Sequence, residues 1–407
     1  MNTLHAVDLE PEIRLLLCCV KQQLGDNACQ QQIQELLNHS QLDWKKTIKM
    51  ARFHRLLPLL HRALSSMAAV EVPAEILKQL RSYHLSNIGR TLFLVRELIA
   101  FLDILDANNI KAITFKGPVT AISAYGDLSL RTFCDLDLLV HPDDFLTLRE
   151  IAINHGYECD KLMALSERNC LAQLTPQKQS SYLRSQKEFS LFNPKNRIFL
   201  DIHQGILSQH FFPLFDTRWI WHHTQGVKIG RKQVLSITPE VQILVLCAQG
   251  AEDYWNQLGK LCDVAMLINK YPELDWQLLL ELSDERDVSR RLLLGLSLVH
   301  NLYGVVLPDS VQKQLQALPS LQTLVEEVQQ NILLGKRAHI DSRLTMGRVL
   351  HQFRLMANWS NRVNFVGDLM QPTLADRAAV PLPQSLFFLY YLLRPLRLVQ
   401  EIFCHKK

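Results

Sequence analysis

The chain has 407 residues, 48% of them hydrophobic and 21% charged, which is enough for two or three domains with separate cores and excludes an intrinsically disordered protein. Its formal charge of +4 is small for that length, and Lys and Arg are scattered along the chain, so charge carries no strong nucleic-acid signal. The nine cysteines, odd in number and without a C-x-x-C pair, read as reduced, buried thiols of a cytoplasmic protein.

The first ten residues carry acids early and lack a basic stretch ahead of an apolar core, so no signal peptide is expected. From Pro11 to about Asp106 apolar residues recur at three and four, as in Ile76, Leu77, Leu80 and Leu94, Val95, Leu98, the period of amphipathic helices. The pattern changes at Asn108-Asn109. A short strand is predicted over Ile110 to Phe115, followed by the turn Lys116-Gly117-Pro118 and a helix over Val119 to Tyr125.

A second strand, Phe133 to Val140, ends at His141-Pro142-Asp143-Asp144, and a helix from Phe145 to His155 closes on Gly156. A polar, poorly periodic insert at 161–181 precedes an antiparallel hairpin, Glu188 to Phe192 and Arg197 to His203, around the turn Asn193 to Asn196. Another hairpin is predicted over Gly226 to Ile237 around Gly230-Arg231. Beyond Pro239 the helical period returns, with breaks near Gly304 to Pro308 and Thr373 to Pro383. No internal repeat is evident. The expected organisation is α+β: a helical region at 1–106, a mixed α/β core at 107–238 and a helical domain at 239–407.

Side chains of a strand alternate faces, so Asp135 and Asp137 point one way while Leu136 and Leu138 point into the core. Two carboxylates this close repel unless a cation sits between them, and hard oxygen ligands suit Mg²⁺. Asp201 is the third candidate, because it too sits in an apolar strand where an unpaired acid is costly; His203 shares its face. In a two-metal scheme one ion activates the attacking oxygen and the other holds nucleotide phosphates, with Asp201 on the attacking side.

Lys116-Gly117-Pro118 supplies the complementary half. Gly117 allows close backbone approach, Pro118 suits the first helical position, N–H groups at a helix start attract phosphate, and Lys116 adds a positive charge. Arg131 offers a guanidinium to the same phosphates.

Each feature has a plainer reading. A lone D-x-D is commonly a surface acid pair, and glycosyltransferases also use D-x-D to hold a metal and a sugar nucleotide. Lys116-Gly117 alone would be an ordinary turn, Arg131 a structural partner of Asp127, and His203 an orienting or packing residue. His222-His223 beside Trp219 and Trp221 suggests a metal or base-stacking site, although adjacent histidines in a strand face opposite ways. Glu252-Asp253-Tyr254-Trp255 frames either a cleft or a solvated helix end. The C-terminal apolar run, Leu386 to Leu393, stops at Arg394-Pro395, far short of the roughly 20 residues that span a bilayer. With Arg394, Arg397, His405, Lys406 and Lys407 nearby it reads as a buried terminal helix, weak membrane-surface contact being the alternative.

The run from Phe115 to Val140 resembles the bacterial uncharacterised nucleotidyltransferase family, whose hallmark is K-G, then Y-x-D, then R, then D-h-D-h-h-V. The matching residues are Lys116, Gly117, Tyr125, Asp127, Arg131, Asp135 and Asp137. Leu200-Asp201-Ile202-His203 resembles the family's D-h-H, and the resemblance runs from about His54-Arg55-Leu56-Leu57-Pro58 to about Ile268. Gln249 and Asp253 stand where the family tends to have two histidines, ahead of Trp255, Leu258 and Asp263-Val264-Ala265.

The resemblance implies a polymerase-β-like nucleotidyltransferase sheet with flanking helices. It implies two Mg²⁺ ions on Asp135, Asp137 and Asp201, with Lys116, Gly117, Arg131 and His203 on the nucleotide. The reaction implied is transfer of a nucleoside monophosphate from an NTP, ATP being the expected one, to an acceptor hydroxyl on a peptide, glycan or small molecule. The competing functions are a non-catalytic module that uses the nucleotide-fold cleft within a biosynthetic or toxin–antitoxin complex, and a D-x-D glycosyltransferase.

Overall fold

The computed structural model describes residues 9–39, 42–67, 72–158, 175–184, 186–207, 217–333, 346–356 and 358–403. The chain packs as two compact units. One comprises Met1–Ile99, Lys116–Cys134 and Gln225–Ile340, the other Ala100–Phe115, Asp135–Thr224 and Asp341–Lys407.

The second unit holds a mixed four-stranded sheet. Its strands are β1 (Ala112–Thr114), β2 (Asp135–Val140), β3 (Glu188–Asn193) and β4 (Ile198–His203), in spatial order β1-β2-β4-β3. β1 is antiparallel to β2, β2 is parallel to β4, and β4 is antiparallel to β3. One face is apolar: Leu136, Leu138, Ile198, Leu200, Ile202, Phe189 and Leu191 are all buried. Helix Phe145–Asn154 lies against this face through Phe145, whose ring stacks on Phe189 at 4.5 Å between centroids. That helix ends as the Gly156 signal requires, with the glycine at φ 87°, where a side chain is strained.

The first unit is mostly helical. Its N-terminal part contains helices Pro11–Gln23, Ala28–His39, Trp44–Phe53 and Leu57–Ser65, and Asp43 caps the third by accepting the Lys46 N–H at 3.0 Å. A two-stranded hairpin, β5 (Thr224–Ile229) and β6 (Lys232–Ile237), turns at Gly230 with φ 59°. Helix Pro239–Glu252 follows, and Trp255 is wholly buried between that helix and helix Ser289–Tyr303. Gly250 and Gly295 make this possible: a Cβ on either would sit 2.5 Å and 2.7 Å from the indole. Trp255 is therefore a core anchor.

Several elements differ from the sequence reading. Of the stretch read as an aperiodic insert, 161–174 lies outside the described residues, whereas Pro176–Arg184 is a helix. It buries none of its residues, so it carries no apolar stripe for a periodicity argument to find. The break read at Thr373 to Pro383 contains helix Leu374–Ala379, which is set by a capping box between Thr373 and Asp376. His222 and His223 lie at a 3₁₀ turn, Arg218–His222, and not in a strand.

The terminal helix, Tyr390–Phe403, buries Tyr390, Arg394 and Leu398 but exposes Tyr391, Leu392, Leu396 and Val399, so the buried reading holds for one face. Cys18, Cys19, Cys29, Cys247 and Cys262 are buried free thiols, whereas Cys134 is exposed; Cys159, Cys170 and Cys404 lie outside the described residues. Among the described residues no helix is long and apolar enough to cross a membrane.

Candidate active site

Opposite its apolar face, the sheet of the second unit carries acids. The parallel register of β2 and β4 sets Asp137 directly beside Asp201, Asp135 beside Phe199 and Leu139 beside His203. β3 then adds Ser190 opposite Asp201 and Glu188 opposite His203. Four acids and a histidine thus share one face of three strands.

The contacts are close. The Ser190 hydroxyl donates to Asp201 Oδ1 at 2.6 Å. His203 Nε2 lies 3.3 Å from Asp137 Oδ1, and its Nδ1 lies 3.3 Å from Glu188 Oε2, an ion-pair approach off the ideal hydrogen-bond direction. The Phe115 ring meets the imidazole edge-on at 5.3 Å. Asp137 and His203 are 5% and 4% exposed, so neither charge is cared for by bulk water.

Burial pushes the Asp201 carboxyl up to about 6. The Ser190 hydrogen bond opposes this, and the charges of Asp137 and Asp135 add to it. Burial alone would lower the His203 pKa, but Asp137 and Glu188 outweigh it and hold the imidazole above its ordinary value.

Asp137, Asp201 and His203 each present one donor atom within 4.8 Å of the others, the one such group of three among the described residues. The donor set fits a divalent cation: a buried and a half-buried carboxylate whose mutual repulsion a cation would cancel, and one ring nitrogen. Asp135 stands outside this triple, half-buried at the start of β2, although Asp201 feels its charge.

The other predicted residues belong to the first unit. Gly117 has φ 54° and ψ −123°, which side chains rarely adopt, and Pro118 opens helix Pro118–Tyr125. Arg131 Nε and Nη2 grip Asp263 at 2.8–3.1 Å, and Nη1 reaches the Gly117 carbonyl at 3.4 Å. The Tyr125 hydroxyl donates to the same Asp263 at 2.8 Å. Asp127 instead closes its own turn by accepting the Ser129 N–H, so the structural partner of Arg131 is Asp263, on helix Leu258–Lys270.

Near the start of that helix Lys260 pairs with Asp253 at 2.6 Å. Burial holds its ammonium below the ordinary range; Asp253 opposes this, and the like charges of Arg55 and Lys116 add to the depression. Asp253, at one of the positions where the family tends to have histidine, is thus an ion-pair partner.

Three residues escaped the sequence reading: Glu188, Ser190 and Asp263. The face of the first two was legible, their register was not. A four-residue turn at Asn193 to Asn196 would pair Phe192 with Arg197 and put Glu188 opposite Asp201, whereas the observed turn is Pro194 to Arg197, which pairs Asn193 with Ile198, Ser190 with Asp201 and Glu188 with His203. Asp263 was read only as part of the segment Asp263-Val264-Ala265; its pairing was not legible, because Arg131 lies 132 residues away.

A mixed sheet flanked by helices, with a D-x-D strand running parallel to a neighbour that carries a further aspartate, is a nucleotidyltransferase-type α+β core. The chain belongs to the uncharacterised nucleotidyltransferase family, whose profile matches residues 40–304, beyond both ends of the stretch that the motifs mark. No curated protein and no solved structure gives a match.

Proposed function

We propose that the chain is a Mg²⁺-dependent nucleotidyltransferase that moves a nucleoside monophosphate from an NTP, ATP first among candidates, to an acceptor hydroxyl. The observation that carries this reading is the parallel register that sets Asp137 beside Asp201 with His203 in reach of both. The acceptor oxygen attacks the α-phosphorus, the bond to the β-phosphate oxygen breaks, pyrophosphate leaves, and the hydroxyl proton passes to a base. Asp135, Asp137 and Asp201 are the proposed metal ligands, with Asp201 on the attacking side. Bound there, Mg²⁺ supplies neutralisation of the phosphate charge and lowers the barrier to deprotonating the acceptor.

Lys116 and Gly117 are assigned to the phosphates. Their support is the turn's helix-start geometry and the gathering of Arg55 and Lys116 charge around Lys260. Arg131, gripped by Asp263 and touching the Gly117 carbonyl, is assigned to holding this turn in shape.

The test is incubation of the purified protein with α-³²P-labelled NTPs, Mg²⁺ and cell extract. Label transfer with pyrophosphate release is expected, lost in Asp137→Asn, and the size of the labelled product reports the acceptor class. Absence of both NTP binding and pyrophosphate release would overturn the proposal, and selective binding of sugar nucleotides would replace it with a glycosyltransferase.

A further inference from the structure

Glu188 belongs to neither acidic motif, yet it occupies the site. It stands opposite His203 across the β3–β4 ladder, with Oε2 3.3 Å from Nδ1, while Nε2 on the far side of the ring faces Asp137. This ring shows each nitrogen to a carboxylate and is braced edge-on by Phe115. Asp135, Asp137, Glu188 and Asp201 crowd this face, and Lys187 Nζ lies 3.6 Å from Glu188 Oε2.

We propose that Glu188 is the positioning residue of the metal site: its carboxylate, 3.3 Å from Nδ1 of His203, holds the ring so that Nε2 faces Asp137 and Asp201. His203 is then a nitrogen donor to the metal, and the site takes Mn²⁺ more tightly than Mg²⁺. A carboxylate behind a ligating histidine fixes its tautomer and ring orientation and strengthens it as a donor. Mg²⁺ strongly prefers oxygen ligands, whereas a ring nitrogen favours transition ions, so the mixed donor set sets the preference. The inference rests on the metal-dependent reading above and goes beyond it, since the sequence motifs assign oxygen ligands alone.

The full chain is titrated with Mn²⁺, followed by electron paramagnetic resonance, with Mg²⁺ as competitor. The wild-type protein bound to Mn²⁺ is expected to show nitrogen modulation in pulsed spectra that changes on ¹⁵N-histidine labelling. Glu188→Ala should weaken Mn²⁺ binding about 10–100-fold and shrink the preference over Mg²⁺. Glu188→Gln, which keeps an acceptor oxygen, should restore most of both. Glu188 is on an edge strand with its side chain 37% exposed, so these variants are expected to fold. Should Glu188→Ala not fold, the isotope experiment and Glu188→Gln still decide.

Isotope-insensitive spectra of the wild type, or equal Mn²⁺ affinity in a folded Glu188→Ala, would overturn the inference. NMP transfer without nitrogen coupling would sink this inference alone. Nitrogen-coupled Mn²⁺ without any transfer would sink the transferase reading alone.

Discussion

Asp201→Asn keeps the side chain's shape and an oxygen to accept the Ser190 hydroxyl, while removing one charge from a buried face shared with Asp135 and Asp137. A carboxyl whose pKa rises from 3.8 to about 6 on folding costs the metal-free protein about 3 kcal/mol once fully ionised. Because the folded value lies above the unfolded one, the cost is absent below pH 3.8, grows up to about 6, and is complete above that. In chelator at pH 8 the variant should therefore be more stable than wild type by about 1–3 kcal/mol, read as a rise of a few degrees in melting temperature. At pH 4 the two should melt together.

Added Mn²⁺ or Mg²⁺ should reverse the order. A ligand at 100 times its dissociation constant stabilises by about 2.7 kcal/mol, and the variant, which offers a neutral amide oxygen in place of a carboxylate, should gain less. Differential scanning fluorimetry at two pH values, with chelator or metal, gives all the comparisons. A variant less stable than wild type in chelator at pH 8, or one that gains as much from metal, would refute the placement of Asp201 at a strained cation site.

Three further outcomes follow from the first unit. His54 is buried, its Nδ1 accepts the Leu258 N–H at 3.2 Å, and burial lowers its pKa to about 4. Its folded value lies below the unfolded 6.5, so the associated stability, up to about 3 kcal/mol, is present above pH 6.5 and is lost as pH falls through about 4. His54→Asn, which keeps an acceptor, should flatten that interval in urea titrations. Asp263→Ala strands the Arg131 guanidinium and should cost about 3–5 kcal/mol by urea unfolding, while Arg131→Lys, unable to form the two-pronged contact, should lose less. Gly250→Ala puts a Cβ 2.5 Å from the Trp255 ring and should cost about 1–3 kcal/mol, seen as a lower melting temperature.

The sequence by itself determined the local parts of the site. Strand alternation put Asp135 and Asp137 on one face and Gly117-Pro118 specified a helix start, whereas the β3–β4 hairpin was legible but its register was two residues from the one that the turn at 193–196 implied. The face and the helix start are settled by a few neighbouring residues, through the φ that glycine and proline permit or the two-residue period of a strand. Periodicity was silent for Pro176–Arg184, which buries no side chain, and misleading for Leu374–Ala379, where one capping box outweighs the surrounding turn residues.

The tertiary structure decided which strand lies beside which. Parallel pairing of β2 with β4 brings Asp137 to Asp201 and His203, and the same sheet order admits Glu188 as a fourth acid. It also gave Arg131 a carboxylate partner 132 residues away instead of one four residues away. No local propensity encodes those pairings: they are selected by burying the apolar faces of distant segments together, and the polar faces meet as a consequence.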